Sequence, residues 1–201
     1  MTNWIFCVIL YNVGGIGEFR YVSQYLNSLF GVRMGGISMF NIGDKVVYPM
    51  HGAGVIESIE EKEILGQKQK YYIMKMPIGD IQVMVPTNNA QEVGMREVIA
   101  CKDADRVLSV LSGDITEMNP NWNKRYRENM DKIKSGNIFE VAEVVKNLAH
   151  KNIDKGLSTG EKKLYNSAKK ILVSELVLAN QSSENEIEEL VNEKLGLSEE
   201  A

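Results

Sequence analysis

The stretch Lys45-Val46-Val47-Tyr48-Pro49-Met50-His51-Gly52-Ala53-Gly54-Val55-Ile56-Glu57-Ser58-Ile59-Glu60 decides the fold of the first half of the chain. Lys45–Tyr48 is a short run of strand formers, and residues 49–54 supply proline and glycine for a turn. Val55–Glu60, the run after that turn, reads as a second short strand. Two strands joined so closely pair antiparallel.

Outward from this pair the pattern repeats. A turn centred on Gly66 follows, then Lys70-Tyr71-Tyr72-Ile73-Met74-Lys75-Met76, another strand. Pro77-Ile78-Gly79-Asp80 turns the chain into Ile81-Gln82-Val83-Met84-Val85, which Pro86 ends. Four short runs with turn signals between them predict a small, bent antiparallel sheet or barrel over residues 39–92. Such a sheet leaves edges that can take a partner strand. His51 sits between turn residues with no second histidine, cysteine or carboxylate at ligand spacing, so a turn or packing role is expected. Gly52 and Gly54 lack the strand–loop–helix context of a phosphate loop and serve backbone geometry.

Residues 93–201 change period. Ala104, Val107, Leu108 and Leu111 fall at i, i+3, i+4 and i+7 and predict a helix over about 103–112. Asn119-Pro120-Asn121 opens a helix over about 121–135, stopped by Ser135-Gly136. Val141, Val144, Val145 and Leu148 mark a third helix. Ser158-Thr159-Gly160-Glu161 is a capping box that opens a longer one, with Leu164, Ala168, Ile171, Leu172 and Leu176 inward. Ile187, Leu190 and Val191 predict a last, acidic and frayed helix. The fold class is therefore α+β: a small β domain followed by a compact helical bundle. The short segment Val93-Gly94-Met95-Arg96 joins the two and implies limited freedom between them.

The chain has 201 residues and a net charge of −4. The distribution is uneven: +1 over residues 1–38, −2 over 39–98, +3 over 99–181 and −6 over 182–201. Between residues 121 and 134 there are five Lys/Arg and two acids. Stepping about 100° per residue places Tyr126, Met130 and Ile133 on the side of Trp122, with Lys124, Arg127 and Lys134 elsewhere and Arg125 on the flank. On period alone Trp122 belongs to the core; on charge the helix is a weak DNA signal. The two cysteines, Cys7 and Cys101, lie in unrelated segments and suggest a reducing cytoplasm. Two distant histidines and no nucleophile constellation give no enzymatic mechanism and no metal or cofactor site.

The first 38 residues stand apart. Trp4–Tyr11 is an apolar run of eight, short of the about 20 residues that span a bilayer. It lacks the basic start and cleavage site of a signal peptide. The segment reads as a docked extension or a strand-like arm. A third reading is that it is not made: Met34-Gly35-Gly36-Ile37-Ser38-Met39 is encodable by ATG-GGA-GGT-ATT-TCA-ATG, which sets a ribosome-binding GGAGG ahead of Met39. Translation from Met39 is the expectation.

The motifs taken together resemble the CarD/CdnL family of bacterial transcription regulators. The residues that carry the resemblance are Val46-Val47-Tyr48-Pro49, His51-Gly52 and Gly54, Gly79-Asp80, Val85-Pro86, and Asn121-Trp122 with Arg125-Tyr126. Gly156-Leu157-Ser158, Gly160-Glu161-Lys162 and Ile171-Leu172-Val173 with Glu175-Leu176 extend it. It covers Met39 to about Leu195 and leaves out residues 1–38. The resemblance implies a Tudor-like domain that binds the RNA polymerase β subunit, similar to the polymerase-interacting module of transcription-repair coupling factors. It implies a helical DNA-binding domain after it, and stabilisation of the open promoter complex by a cytoplasmic, nucleoid-associated monomer with no cofactor. Trp122 matches the family's wedge at the upstream edge of the bubble. Lys124 and Arg127 match cations that touch the DNA backbone without reading sequence, and Arg125 is a further candidate. Polymerase contact would fall on an exposed strand edge near Lys62, Met84 and Val85. Met84 departs from the pattern, standing where some members carry a basic residue. The competing reading is a polymerase-binding adaptor whose bundle recruits protein partners instead of DNA.

Overall fold

The computed structural model describes residues 8–11, 20–22, 40–64, 66–79 and 81–197. Seven antiparallel strands form one sheet: β1 (Val8–Tyr11), β2 (Arg20–Val22), β3 (Lys45–Tyr48), β4 (Gly52–Ile64), β5 (Gln67–Lys75), β6 (Gln82–Pro86) and β7 (Arg96–Glu97). Their order across the sheet is β2-β1-β6-β5-β4-β3-β7. The expected strand–turn–strand is β3 and β4, with Val46 opposite Gly54 and Val47 opposite Ala53. β4 is longer than the sequence suggested because a bulge carries it past a break in alternation. Ile56 faces Met74, but Ser58 faces Ile73, so Glu57 is the extra residue. The bulge returns Ile59 to the face of Ile56, and both join the core of Val46, Tyr48, Tyr72, Met74, Val83 and Val85.

The sheet also reaches further along the chain than residue 92. Arg96 and Glu97 pair with Val47 and Val46, so the connecting segment is itself part of the sheet. At the other edge, β1 pairs with β6, Val8 opposite Met84 and Ile9 opposite Val83. This corrects the expectation that the β6 edge is open. The strand-like arm corresponds to β1 and β2; Met34–Met39 lie outside the described residues.

Five helices follow: α1 (Cys101–Leu111), α2 (Trp122–Lys134), α3 (Ile138–Asp154), α4 (Thr159–Asn180) and α5 (Glu184–Lys194). Asn121, Asn137, Ser158 and Ser183 cap four of them by accepting a backbone N–H in the first turn. The periodic apolar residues of α1, α3 and α4 share a single core. α5 is firmer than the frayed helix expected of it. Ser183 and Glu186 form a second capping box, and Ile187 and Val191 are buried against the bundle.

The two halves meet along α4. The Ala53 N–H donates to Ser174 Oγ at 2.9 Å, and Lys45 Nζ donates to the Leu178 carbonyl at 2.8 Å. Glycine at 52 is required twice over: its φ is +104°, and a Cβ there would stand 2.6 Å from Ser174 Oγ. At Gly54 a Cβ would meet the Lys75 carbonyl oxygen at 2.8 Å. Arg96 grips Glu175 with two hydrogen bonds, 2.6 and 2.9 Å, and donates two more to the Gly136 carbonyl just past α2. Glu175 is fully buried, so removing Arg96 strands its charge at a cost of about 3–5 kcal/mol. One strand residue thus ties the sheet to α4 and to the end of α2.

Candidate nucleic-acid interface

The start of α2 is built by its asparagines. Asn119 Oδ1 accepts the Asn121 N–H at 3.0 Å, and Asn121 Oδ1 accepts the Lys124 N–H at 3.2 Å. Trp122 is therefore the first helical residue, with no preceding turn to cover it. Its side is 43% exposed. One ring face stacks on Tyr126, centroids 5.4 Å apart and planes 23° from parallel. The indole Nε1–H donates to Ser158 Oγ at 3.0 Å, and its Cζ2 lies 3.4 Å from where Gly160 would carry a Cβ. The indole is thus seated on the first turn of α4 and open to solvent elsewhere.

The buried stripe of α2 is Arg125, Asn129 and Ile133. Of the expected line Trp122, Tyr126, Met130 and Ile133, Ile133 is in the core and Tyr126 and Met130 pack partly buried against it, so the inward face is rotated toward Arg125. The rotation has an electrostatic cause. Arg125 is only 8% exposed; its Nε donates to Glu161 Oε1 at 2.8 Å, and its Nη1 to the carbonyls of Asn119 and Pro120. A buried guanidinium with these partners occupies the place of an apolar residue and rolls Trp122 outward. Lys124 and Arg127 are exposed on the same first turns, whereas Arg125 faces the bundle and is apart from them. The helical period sets Arg125 on the flank, apart from Lys124 and Arg127, but does not reveal that Glu161 stands opposite it.

Glu161 is the centre of this arrangement and is 1% exposed. Besides Arg125, it accepts Lys151 Nζ at 3.0 and 2.9 Å, the Ser158 N–H at 3.2 Å and the Ser158 hydroxyl at 3.0 Å. Burial alone pushes its carboxyl up, but the hydrogen bonds from Lys151, Arg125 and Ser158 outweigh burial and hold its pKa at about 2. Period and charge do not single out Ser158 or Gly160. The capping-box signature marks a helix start, and nothing in it says that the hydroxyl also serves an indole 36 residues earlier. Lys162 and Lys163, exposed in the next turn, add cations to the same end of the bundle.

On the β domain, Lys62 and Met84 share the sheet face turned away from the core. Lys62 lies opposite Gln69, and its Nζ pairs with Glu60 at 3.0 Å. Met84 is 2% exposed and packs with Tyr71 and Ile73. Val85, 1% exposed, points into the core, so only its backbone is placed for an edge contact. The structure puts Met84 and Val85 in packing positions where an exposed docking edge was expected, since β1 runs along β6. His51 stacks on Tyr48 at 4.5 Å, and burial pushes its pKa down. Among the described residues, no group of three or more His, Cys, Asp or Glu side chains could hold a metal ion, and no helix is long and apolar enough to cross a membrane.

Residues 40–99 match the model of the CarD-like/TRCF RID domain, and residues 106–192 match that of the CarD C-terminal domain. A Bacillus subtilis (strain 168) protein named "Putative transcription factor YdeB" is 42% identical over 150 residues, which cover 74% of this chain and 97% of that protein.

Proposed function

The chain belongs to the CarD family of non-enzymatic transcription factors, and from that premise we propose that it bridges RNA polymerase and promoter DNA. The family's first domain implies interaction with RNA polymerase. In this reading the β domain binds the polymerase β subunit, and the tip of the bundle meets the upstream edge of the promoter bubble. The protein works there as a cytoplasmic monomer and lengthens the life of the open complex.

The observation that carries the reading is the exposed Trp122 at the start of α2, beside exposed Lys124 and Arg127. A solvent-facing indole on a rigid seat is suited to rest against unstacked bases at the fork. Base–aromatic stacking is worth about 1–3 kcal/mol, and unstacking a step costs about a few kcal/mol, so the indole offsets part of the distortion. Lys124 and Arg127 supply phosphate contacts, which add affinity without reading sequence and weaken as salt rises. Arg125 contributes indirectly, by holding α2 on Glu161.

The Arg96–Glu175 pair supports a bridging role. It links the polymerase-facing sheet to α4 and α2, so docking one domain fixes where the other points, with little ordering left to do on binding. In this reading polymerase contacts the part-exposed Lys62 directly and reaches the β6 backbone, with Met84 packed behind it, only by strand addition that competes with β1.

Open-complex lifetime measured with Trp122→Ala tests the DNA part. A shortening of roughly 5- to 100-fold is expected, the kinetic equivalent of the stacking energy. An unchanged lifetime with polymerase binding intact sinks the wedge and leaves the adaptor reading, in which the bundle recruits protein instead of DNA.

A further inference from the structure

We infer that Ser158 is a positioning residue that fixes the Trp122 indole in its DNA-presenting orientation; this rests on the DNA-facing reading of Trp122. A serine hydroxyl has one proton to donate and two lone pairs to accept with. Ser158 uses all three: it donates to Glu161 Oε2 at 3.0 Å, and accepts the Glu161 N–H at 3.3 Å and the Trp122 Nε1–H at 3.0 Å. Capping α4 needs only the Glu161 N–H. The indole bond is an additional use.

The direction of the hydroxyl is set from below. Glu161 is held by Arg125 and Lys151, and it takes the Ser158 proton, which leaves a lone pair for the indole. Trp122 and Arg125 are three residues apart on α2, and both are anchored to the first turn of α4. Two such anchors fix the rotation of α2 about its axis, and Tyr126 stacks on one face of the ring. Gly160, with no Cβ, leaves the floor of the seat flat. An exposed indole lacking these contacts samples several rotamers and must be ordered when DNA binds.

The test uses the full chain with Trp4→Phe, so that Trp122 is the single tryptophan. Ser158→Gly removes the hydroxyl, and glycine is nearly as good a cap as serine, so the helix is retained. Time-resolved fluorescence anisotropy is expected to show the fast depolarisation of Trp122 rising about twofold, with open-complex lifetime falling roughly 3- to 10-fold, the effect of freeing one ordered side chain. Ser158→Thr keeps a hydroxyl and restores both readouts. Trp122→Phe, which leaves the cap untouched, shortens the lifetime and abolishes its sensitivity to Ser158→Gly.

Unchanged anisotropy in folded Ser158→Gly overturns the inference, as does identical behaviour of the Gly and Thr variants. A Ser158→Gly effect that persists with Trp122→Phe also overturns it, because Ser158 would then act on DNA by itself. If anisotropy responds while Trp122→Ala leaves the lifetime unchanged, the indole is held by Ser158 but the DNA reading fails.

Discussion

α4 carries two buried glutamates that do different work. Glu161, in its first turn, collects Arg125 and Lys151 from within the bundle. Glu175, four turns on, takes Arg96 from the β sheet and accepts the Ile99 N–H as well. The first pair shapes the tip: it keeps a guanidinium inward and lets a tryptophan face solvent. The second joins the domains. Identical chemistry on one helix thus gives a local surface at one end and a long-range connection in the middle. What differs is which element stands opposite.

Removing each carboxylate separates these roles most strongly. Glu161→Ala strands two cations in the bundle and is expected to cost about 3–5 kcal/mol, with the loss seen as a lower urea midpoint of a single transition. Glu175→Ala leaves a part-exposed Arg96 that keeps its Gly136 bonds, so it costs less, but it uncouples the sheet from the bundle. Calorimetry is expected to resolve two transitions where the parent has one. A single transition in Glu175→Ala would mean that Ser174 and the Lys45–Leu178 bond suffice to join the domains.

Acid distinguishes the tip further. The folded Glu161 pKa of about 2 lies below its ordinary 4.5, so the folded state binds a proton less readily than the unfolded one. Its contribution is complete above about pH 5 and disappears as pH falls toward 2, a loss of roughly 3 kcal/mol. Urea unfolding of the parent and Glu161→Gln at pH 5 and pH 2.5 measures it. The variant should lose distinctly less over that range, and equal losses would place the acid sensitivity elsewhere.

The sheet edge offers a contrast to the open tip, because β1 lies along β6. Ile9 pairs with Val83, and Ile9→Pro removes a ladder donor and disfavours that strand. Stronger capture of the polymerase β subunit by the full-length variant than by the parent is expected, with a chain starting at Met39 matching the variant. Equal capture by all three would show that the β6 edge is not where polymerase docks.

The smallest effect is expected at Gly160→Ala. The added methyl would sit 3.4 Å from Trp122 Cζ2, at contact distance, and alanine suits a helix better than glycine. Stability should rise by about 0.4–1 kcal/mol in thermal melting. A fall would mean that the indole seat cannot accept a methyl group.

Much of this molecule is set by local pattern. Runs of strand formers between turn signals placed the strands around Val46, Tyr72 and Val83, and the 3.6-residue period placed α1, α3 and the inward face of α4. The Ser158–Glu161 cap opened α4 where the sequence put it. Local chemistry fixes these features, since turns, caps and buried stripes depend on neighbours within about four residues. The firm α5 was also within reach, because Ser183 and Glu186 have the capping-box spacing.

Tertiary structure alone decided which charges are available. Arg125 finds Glu161 across 36 residues, and Arg96 finds Glu175 across 79. A helical wheel gives the side a residue occupies but not what faces it, so it sets Arg125 on the flank without showing the carboxylate that buries it until α4 is in place. The same limit hid the bond from Trp122 to Ser158 and the pairing of β1 with β6. By itself the sequence determined two domains, their elements and an aromatic residue among cations at one helix start. Folding determined that this tryptophan is the exposed member of its row, because a buried, charge-paired arginine took the inward place beside it.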